Sequence, residues 1–564
     1  MKMQVRLEFK YIFQESERQT IEECLKNISN DTLIKTIGFF ATKDIHWSNF
    51  FSNPEKQSEI NKKIQKLNGE ISLISTESSL HLAERILEYK DELLDDNNKD
   101  VDRDEINLFK AILLINEELN KYDEAISKSN KEDVDKIIDM MISIKFSSYD
   151  LGVYDEIWFE ITKLYIVTLY KFSRLLDFLQ SDSKYSPILE CLYTNFGQNS
   201  VEELVGKSLF LLTKTHEITT GKEFGKISLE DNNDISVRKF FDSLISENVY
   251  VDTNFLQLKK NPLYKIDENT YSIINPFFVL DKFTNSLRFF ISKNRTNNID
   301  DDLKKKLKNN AFYSEDFSEK YLMKNILDDI FQNKCFIKKK QSTNVQGEPD
   351  YYVRDSGKIF LFEYKDAYIN AKTKVSRDID LIEKVLKIKF LKNQKEKPKG
   401  IGQLIRHIKN ISQNNFPFDD SIKKSVVVYP ILLLSHRLLE VPGINYKLNK
   451  WFKEELNKNT NIGKNITVKD LVIIDMDTLI FYKAYYKENK NNFCSSLEKH
   501  IKKSKGNHNG YGNNENDVYI TMQKKLLRKI LPYSFRMQDL VEQQIYSPKM
   551  IKEYIQDLKK YFKE

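Results

Sequence analysis

The chain is poor in the features that mark several common protein classes. Only four of its 564 residues are cysteine, and Cys24, Cys191, Cys335 and Cys494 form no CxxC or Cys/His cluster, which argues against a zinc site and a disulfide framework. No apolar run approaches the roughly 20 residues that cross a bilayer, and the first residues lack a signal-peptide core. A GxxxxGK[ST] motif is also missing, so the chain encodes no P-loop motor. These absences predict a cytoplasmic protein without membrane association.

The charges of the chain are nearly balanced. Its 89 basic and 83 acidic side chains leave a formal net charge of +6, which permits nucleic-acid binding without demanding it. Hydrophobic residues make up 40% of the chain and aromatic residues 12%, which is enough for packed globular domains. A chain of this length is expected to hold about three to four domains.

Periodicity predicts an α/β multidomain fold, with a largely helical N-terminal region followed by a mixed β-sheet core flanked by helices. A short strand is also expected at the start, where Val5, Leu7, Phe9 and Tyr11 alternate with other residues. In chain order the predicted segments are a regulatory or partner-binding region at 1–225, a helix-hairpin module similar to a winged helix at 226–300, a domain that carries the chemistry at 301–490, and, within 491–564, a flexible loop at 505–517 and C-terminal helices.

The most informative stretch runs from Gly347 to Lys365 (GEPDYYVRDSGKIFLFEYK). Two apolar runs, 351–353 and 359–362, flank a polar segment that has a glycine at a turn position. This arrangement predicts a β-hairpin whose turn centres on Ser356-Gly357.

The register of that hairpin brings three charged side chains together. Asp350 falls opposite Glu363, and the alternation of side chains along a strand places Glu363 and Lys365 on one face. Two carboxylates suit a hard divalent cation such as Mg²⁺, and a lysine beside them orients a nucleophile or offsets phosphate charge. This chemistry predicts phosphodiester hydrolysis, the alternative being an ordinary exposed hairpin with surface charges.

The motif itself, Pro349-Asp350, twelve residues and then Glu363-Tyr364-Lys365, resembles the signature of the PD-(D/E)XK nuclease superfamily. The resemblance implies a restriction-endonuclease-like core. It also implies that Asp350 and Glu363 bind Mg²⁺ or Mn²⁺, helped by the backbone carbonyl of Tyr364, and that Lys365 takes part in catalysis.

The flanking sequence matches the order of elements in that core. Residues 319–331 predict a helix and residues 335–337 a strand, while the apolar runs 425–434 and 471–474 are typical of buried central strands. The family often directs a glutamate of its first helix toward the site. Glu319 resembles that residue and is implied as a further metal ligand, an ordinary solvated glutamate being the alternative.

Residues 400–408 (GIGQLIRHI) predict a second helix that begins after Pro398 and Gly402. Many family members place a glutamine near such a start, so the resemblance implies that Gln403 contacts the metal-bound water or a phosphate. His407 lies one turn later on the same face, where a number of relatives have tyrosine. A structural histidine on the helix surface is the alternative for this residue.

A basic cluster lies beside the predicted site. Between Lys384 and Lys409 there are eight lysines and one arginine against a single glutamate, Glu396. Such a cluster predicts strongly salt-dependent binding of a polyanionic backbone, the alternative being a solvated lysine-rich helix and loop. The residues predicted to bind nucleic acid are Lys384, Lys387, Lys392, Lys395, Lys397, Lys399 and Arg406.

The leading hypothesis is a Mg²⁺- or Mn²⁺-dependent endonuclease that hydrolyses DNA. One nuclease module behind a long helical region resembles bacterial restriction or phage-defence effectors. That layout implies action on foreign DNA, and a homo-oligomer or another defence protein as partner through the N-terminal region. The alternatives are a non-catalytic subunit that binds nucleic acid, and a nuclease that cleaves RNA or processes DNA ends.

Overall fold

The computed structural model describes residues 5–561 with internal gaps. The ranges left out are 38–46, 68–70, 90–99, 128–133, 152–156, 221–224, 231–234, 253, 294–298, 339–347, 417, 420, 423–424, 459–461, 464–465, 506–525 and 542–546. The predicted loop at 505–517 therefore lies, apart from Lys505, outside the described residues. The chain divides into two compact units: Met1–Lys128, Leu151–Asn309 and Ile551–Glu564 form one, and Ser129–Asp150 with Asn310–Met550 form the other.

The first unit is mainly helical. Its first strand, β1 (Val5–Arg6), pairs in parallel with β2 (Ile71–Ser72). The predicted early strand is wrong beyond β1, because Leu7 and Glu8 are both buried and Phe9–Tyr11 form a 3-10 turn rather than an alternating strand. The longer helices of this unit are Pro54–Ile64, Thr76–Tyr89, Val101–Ser127, Ile157–Gln180, Ser186–Asn195, Val201–Thr220, Asn285–Lys293 and Asp301–Lys308, and the shorter ones are Ile21–Lys26, Asn30–Thr36 and Leu256–Lys260.

A small antiparallel sheet in this unit contains the predicted hairpin. Strands β4 (Leu263–Lys265) and β5 (Thr270–Ile273) form the hairpin, and β3 (Lys226–Ser228) pairs with the other edge of β5. Helices precede and follow the hairpin in the chain, at Ile235–Asp242 and Pro276–Lys282. The second of these begins after Asn275, whose side chain accepts hydrogen bonds from the amides of the first helical turn.

The second unit is built on a mixed six-stranded sheet. Five strands run in the order β10 (Ile466–Val468), β9 (Val426–Leu434), β8 (Lys358–Lys365), β7 (Tyr351–Asp355) and β6 (Ile337–Lys338), and β11 (Val472–Asp475) also pairs with β9. The pairs β6–β7 and β7–β8 are antiparallel, whereas β8, β10 and β11 run parallel to β9. The central position of β9 explains its continuous apolar sequence, because helices and strands surround it.

Helices cover this sheet. A π-helical stretch, Phe312–Met323, continues as the α-helix Lys324–Ile330, so the predicted helix at 319–331 is present. Of the predicted strand at 335–337, only Ile337 lies in β6. The remaining helices of the unit are Val134–Phe146, Ala371–Val375, Ile379–Phe390, Ile401–Ser412, Ile444–Lys458, Met476–Phe481, Lys483–Glu488, Asn492–Lys505 and Tyr533–Leu540, and the helix Ser547–Lys559 spans the division between the units.

The two units divide the chain differently from the predicted segments. The segments 1–225 and 226–300 share the first unit, except that the helix Val134–Phe146 belongs to the second. The second unit also extends past residue 490, because Phe493 packs 5.1 Å from the ring of Phe331. Packing between distant parts of the chain sets these boundaries, and a local sequence pattern does not report it. Among the described residues, no helix is long and apolar enough to cross a membrane.

Candidate active site

The hairpin β7–β8 has the predicted register. Tyr351 pairs with Phe362 and Asp355 pairs with Lys358, so the turn is at Ser356-Gly357. One position before Tyr351, Asp350 therefore stands opposite the position after Phe362, which is Glu363. The predicted hairpin and its turn are confirmed.

Three charged groups meet where β7 begins and β8 ends. Lys365 Nζ lies 3.2 Å from Asp350 Oδ2 and 3.1 Å from Glu363 Oε2. The side chain of Glu363 is fully buried, and those of Asp350 and Lys365 are 14% and 19% exposed. The structure thus brings the three residues predicted from the motif into one partly accessible cluster.

The carboxyl groups of this cluster are held in an unfavourable environment for negative charge. Burial, reinforced by the charge of Glu363, raises the pKa of Asp350 to about 7. Burial likewise raises the pKa of Glu363. Burial disfavours the charged form of Lys365 as well, but the charges of Asp350 and Glu363 outweigh it and raise the pKa of this ammonium. One fixed cation therefore faces two carboxyls.

Glu319 adds a third carboxyl to this electrostatic group. It lies in the π-helical stretch Phe312–Met323, a helix form that occurs frequently at functional sites. Burial and the charge of Asp350 raise the pKa of Glu319 to about 7, while Lys365 acts in the opposite direction. Glu319 is therefore partly buried and close enough to interact with Asp350, unlike a solvated surface glutamate.

The backbone of Tyr364 also faces the cluster. Its N–H donates a 2.7 Å hydrogen bond to Asp350 Oδ2. Because the N–H and C=O of one strand residue point to the same side, the carbonyl of Tyr364 is directed to the side of β8 where β7 begins. The Tyr364 hydroxyl lies on the opposite face, 2.5 Å from Ser318 Oγ.

Gln403 lies on the predicted helix, which spans Ile401–Ser412 and so begins two residues earlier than predicted. Its side-chain oxygen accepts a 2.9 Å hydrogen bond from the backbone N–H of Gly400. This contact closes the first turn of the helix. The carbonyl end of Gln403 thus has a structural partner, and its amide end is the part left for a phosphate or water.

His407 is not on the helix surface, contrary to the structural alternative considered for it. Its side chain is fully buried, and Nε2 lies 3.0 Å from Glu363 Oε1. Burial, together with the charge of Arg406, lowers the pKa of His407 to about 4. The structure therefore places a neutral imidazole directly against the most deeply buried carboxyl of the cluster.

Sequence reasoning missed one residue of this site, Gly400. Its φ is 39°, and a Cβ at this position would lie 3.2 Å from both Leu432 Cδ1 and the carbonyl oxygen of Phe390, and 3.6 Å from Lys365 Cγ. The absence of a side chain lets the start of the helix Ile401–Ser412 approach the stem of Lys365. The only sequence signal was a glycine just before a predicted helix.

The seven predicted nucleic-acid-binding residues are all exposed. Two of them have acidic neighbours: Lys387 lies 3.3 Å from Glu383 and Lys392 lies 3.5 Å from Glu396. Exposed pairs of this kind are weak and leave the lysines available to another anion. The loop between the two helices is ordered by Asn393, whose side-chain oxygen accepts hydrogen bonds from the amides of Lys395 and Lys397.

The donor set of the cluster fits a hard divalent cation. Its carboxyl groups outnumber its single ammonium, and the pKa values raised by burial mean that added positive charge is favoured. Asp350, Glu363 and the carbonyl of Tyr364 would hold the ion, with Glu319 at its periphery. Mg²⁺ is commonly held by one or two carboxylates together with water and phosphate. Among the described residues, no group of three or more His, Cys, Asp or Glu side chains is arranged to hold a metal ion, so an ion at this site would depend on the Tyr364 carbonyl and on water or phosphate besides the two carboxylates.

Comparisons of the chain with protein-family models, with curated proteins and with solved structures found no match.

Proposed function

We propose that this protein is a metal-dependent nuclease that hydrolyses phosphodiester bonds of DNA. The observation that carries the proposal is the convergence of Asp350, Glu363 and Lys365 within 3.2 Å contacts where β7 begins and β8 ends, two inner strands of a mixed sheet. A divalent cation, when bound, supplies a Lewis acid and lowers the pKa of a coordinated water. The ammonium of Lys365 would orient the attacking water and stabilise negative charge on the scissile phosphate.

The basic surface supports a nucleic acid as the substrate. The loop that carries Lys395, Lys397 and Lys399 ends at Gly400, which packs against the stem of Lys365. Arg406 is exposed, and its charge acts on both Glu363 and His407. A nucleic-acid backbone bound by these cations would therefore lie close to the carboxyl cluster, because the basic loop and the site share the start of one helix.

The test is cleavage of plasmid, linear and single-stranded DNA and of RNA, each with Mg²⁺, Mn²⁺ or EDTA. Lys365→Ala is expected to lower the cleavage rate by at least about 100-fold. Binding of the same DNA in EDTA should change little, since the exposed lysines are untouched. The matched control is Lys358→Ala, an exposed lysine at the other end of the same strand, which should cleave at the wild-type rate.

The outcomes separate the candidate functions. Metal-dependent cutting of DNA that disappears in Lys365→Ala and persists in Lys358→Ala would support the proposal. Metal-dependent cutting of RNA alone would replace DNA by RNA as the substrate. Tight binding of DNA without cutting, by a wild-type protein shown to bind Mn²⁺, would favour the non-catalytic alternative and refute the nuclease.

A further inference from the structure

His407 is a buried histidine in direct contact with Glu363. Its side chain has no solvent exposure, so it cannot contact a substrate or exchange protons with solvent water. Nε2 faces Glu363 Oε1, and the ring edge packs against Phe416 with centroids 6.1 Å apart. Among the described residues, no hydrogen-bond partner reaches Nδ1.

These contacts assign the proton of the imidazole. A proton on Nδ1 would leave a buried N–H donor unsatisfied, which is costlier than leaving a bare nitrogen there. A proton on Nε2 is instead donated to a carboxylate oxygen at 3.0 Å. The tautomer that fits these contacts is therefore the Nε2–H form.

The carboxylate of Glu363 needs such a donor. The terminal torsion of a glutamate is broad, so burial alone does not set the plane of its two oxygens. Lys365 binds Oε2 at 3.1 Å and His407 contacts Oε1 at 3.0 Å. These two contacts on opposite oxygens hold that plane, and loss of the imidazole would leave Oε1 without this hydrogen-bond donor.

We propose that His407 is a positioning residue, which donates Nε2–H to Glu363 Oε1 and so holds this carboxylate in its metal-binding orientation. The inference rests on the proposed function, because it assumes that Glu363 is a metal ligand. Outer hydrogen bonds of this kind orient metal ligands, and their loss typically weakens metal binding by about 10- to 100-fold.

The experiment is a titration of the full chain with Mn²⁺, in which free Mn²⁺ is followed by electron paramagnetic resonance. Four proteins are compared: wild type, Glu363→Gln, His407→Phe and His407→Gln. Phenylalanine keeps a ring without a donor, and glutamine keeps an N–H donor near the position of Nε2. We expect Glu363→Gln and His407→Phe to weaken Mn²⁺ binding, the latter by about 10- to 100-fold, and His407→Gln to recover most of the affinity.

Cleavage kinetics give a second readout. His407→Phe should lower kcat at a fixed Mn²⁺ concentration and leave KM for DNA unchanged, because the lysine surface is intact. His407→Gln should recover most of that kcat. A purely structural role of the ring would instead leave His407→Phe less impaired than His407→Gln, since phenylalanine keeps a ring and glutamine does not.

The results distinguish failure of the two proposals. Unchanged Mn²⁺ binding in Glu363→Gln would refute the metal site itself. Weakened binding in Glu363→Gln with full binding in His407→Phe would overturn only the role of His407. If His407→Phe does not fold, nitrogen-15 NMR of histidine-labelled wild type measures the protonation of Nδ1 instead. The signal that is missing from the spectrum of His407→Gln is that of His407. A bare Nδ1 supports the proposal, and a protonated Nδ1 overturns it.

Discussion

Replacing Asp350 by asparagine is expected to stabilise the metal-free protein, and to do so more at pH 8 than at pH 5. Burial and the charge of Glu363 raise the pKa of Asp350 from 3.8 to about 7. The folded state therefore holds this proton more tightly than the unfolded state does. Wild-type stability falls as pH rises from about 4 toward 7, and the variant lacks this loss.

The size of the effect follows from the two pKa values. A single carboxyl shifted from 3.8 to about 7 lowers the free energy of unfolding by ~1.7 kcal/mol at pH 5 and by ~4 kcal/mol at pH 8. The difference of ~2.5 kcal/mol is an upper value, because Glu319 and Glu363 interact with Asp350 and share the shift. We expect the advantage of Asp350→Asn over wild type to grow by about 1–2.5 kcal/mol between these pH values.

Calorimetric unfolding in EDTA measures this difference as a gap in Tm of a few degrees. The matched control is Asp355→Asn, the same substitution at the other end of β7 and outside the carboxyl cluster. Mg²⁺ at 100 times its Kd should stabilise the wild type by ~2.7 kcal/mol and so raise its Tm. The same Mg²⁺ concentration should raise the Tm of Asp350→Asn by less. A variant less stable than wild type at pH 8 in EDTA would refute this electrostatic account.

Three further predictions test the surroundings of the site. Changing the lysines at 395, 397 and 399 to glutamine should reduce the slope of log K for DNA binding against log salt concentration by about 0.9 per lost phosphate contact. The same change at three exposed lysines of the helix Asn492–Lys505 should leave that slope unchanged. Gly400→Ala should destabilise the fold by about 1–3 kcal/mol, because a φ of 39° strains alanine and the added Cβ would crowd Leu432 Cδ1 and the carbonyl oxygen of Phe390. It should also lower kcat, because the strained turn lies beside the stem of Lys365. Burial would raise the pKa of Asp419, but hydrogen bonds from Ser421, Tyr352 and Arg354 hold it at about 2. Thermal unfolding should therefore show that Asp419→Asn is less stable than the wild type by about 3 kcal/mol at pH 7. This difference in stability should shrink as pH falls from 3.8, the pKa in the unfolded state, toward 2, where it disappears.

The hairpin and its register are predictable from local sequence alone. The apolar runs 351–353 and 359–362 and the turn at Ser356-Gly357 between them specify which residues face each other, because the position of the turn sets the pairing of the two strands. The positions of Asp350, Glu363 and Lys365 follow from that local rule. The apolar runs that became β9 and β11 were also readable, since a strand covered on both sides needs a continuous apolar sequence.

The way in which distant segments complete the site depends on tertiary packing. The helix Ile401–Ser412 is amphipathic in sequence, but that pattern does not say which buried position will meet Glu363. The sequence alone did not show that His407 is buried against Glu363 rather than on the helix surface. The contribution of Gly400 to the site became clear only from its position beside Lys365. The grouping of the helix Val134–Phe146 with the second unit likewise depends on long-range packing. Contacts between residues far apart in the chain are energetically decisive, and local periodicity carries no record of them.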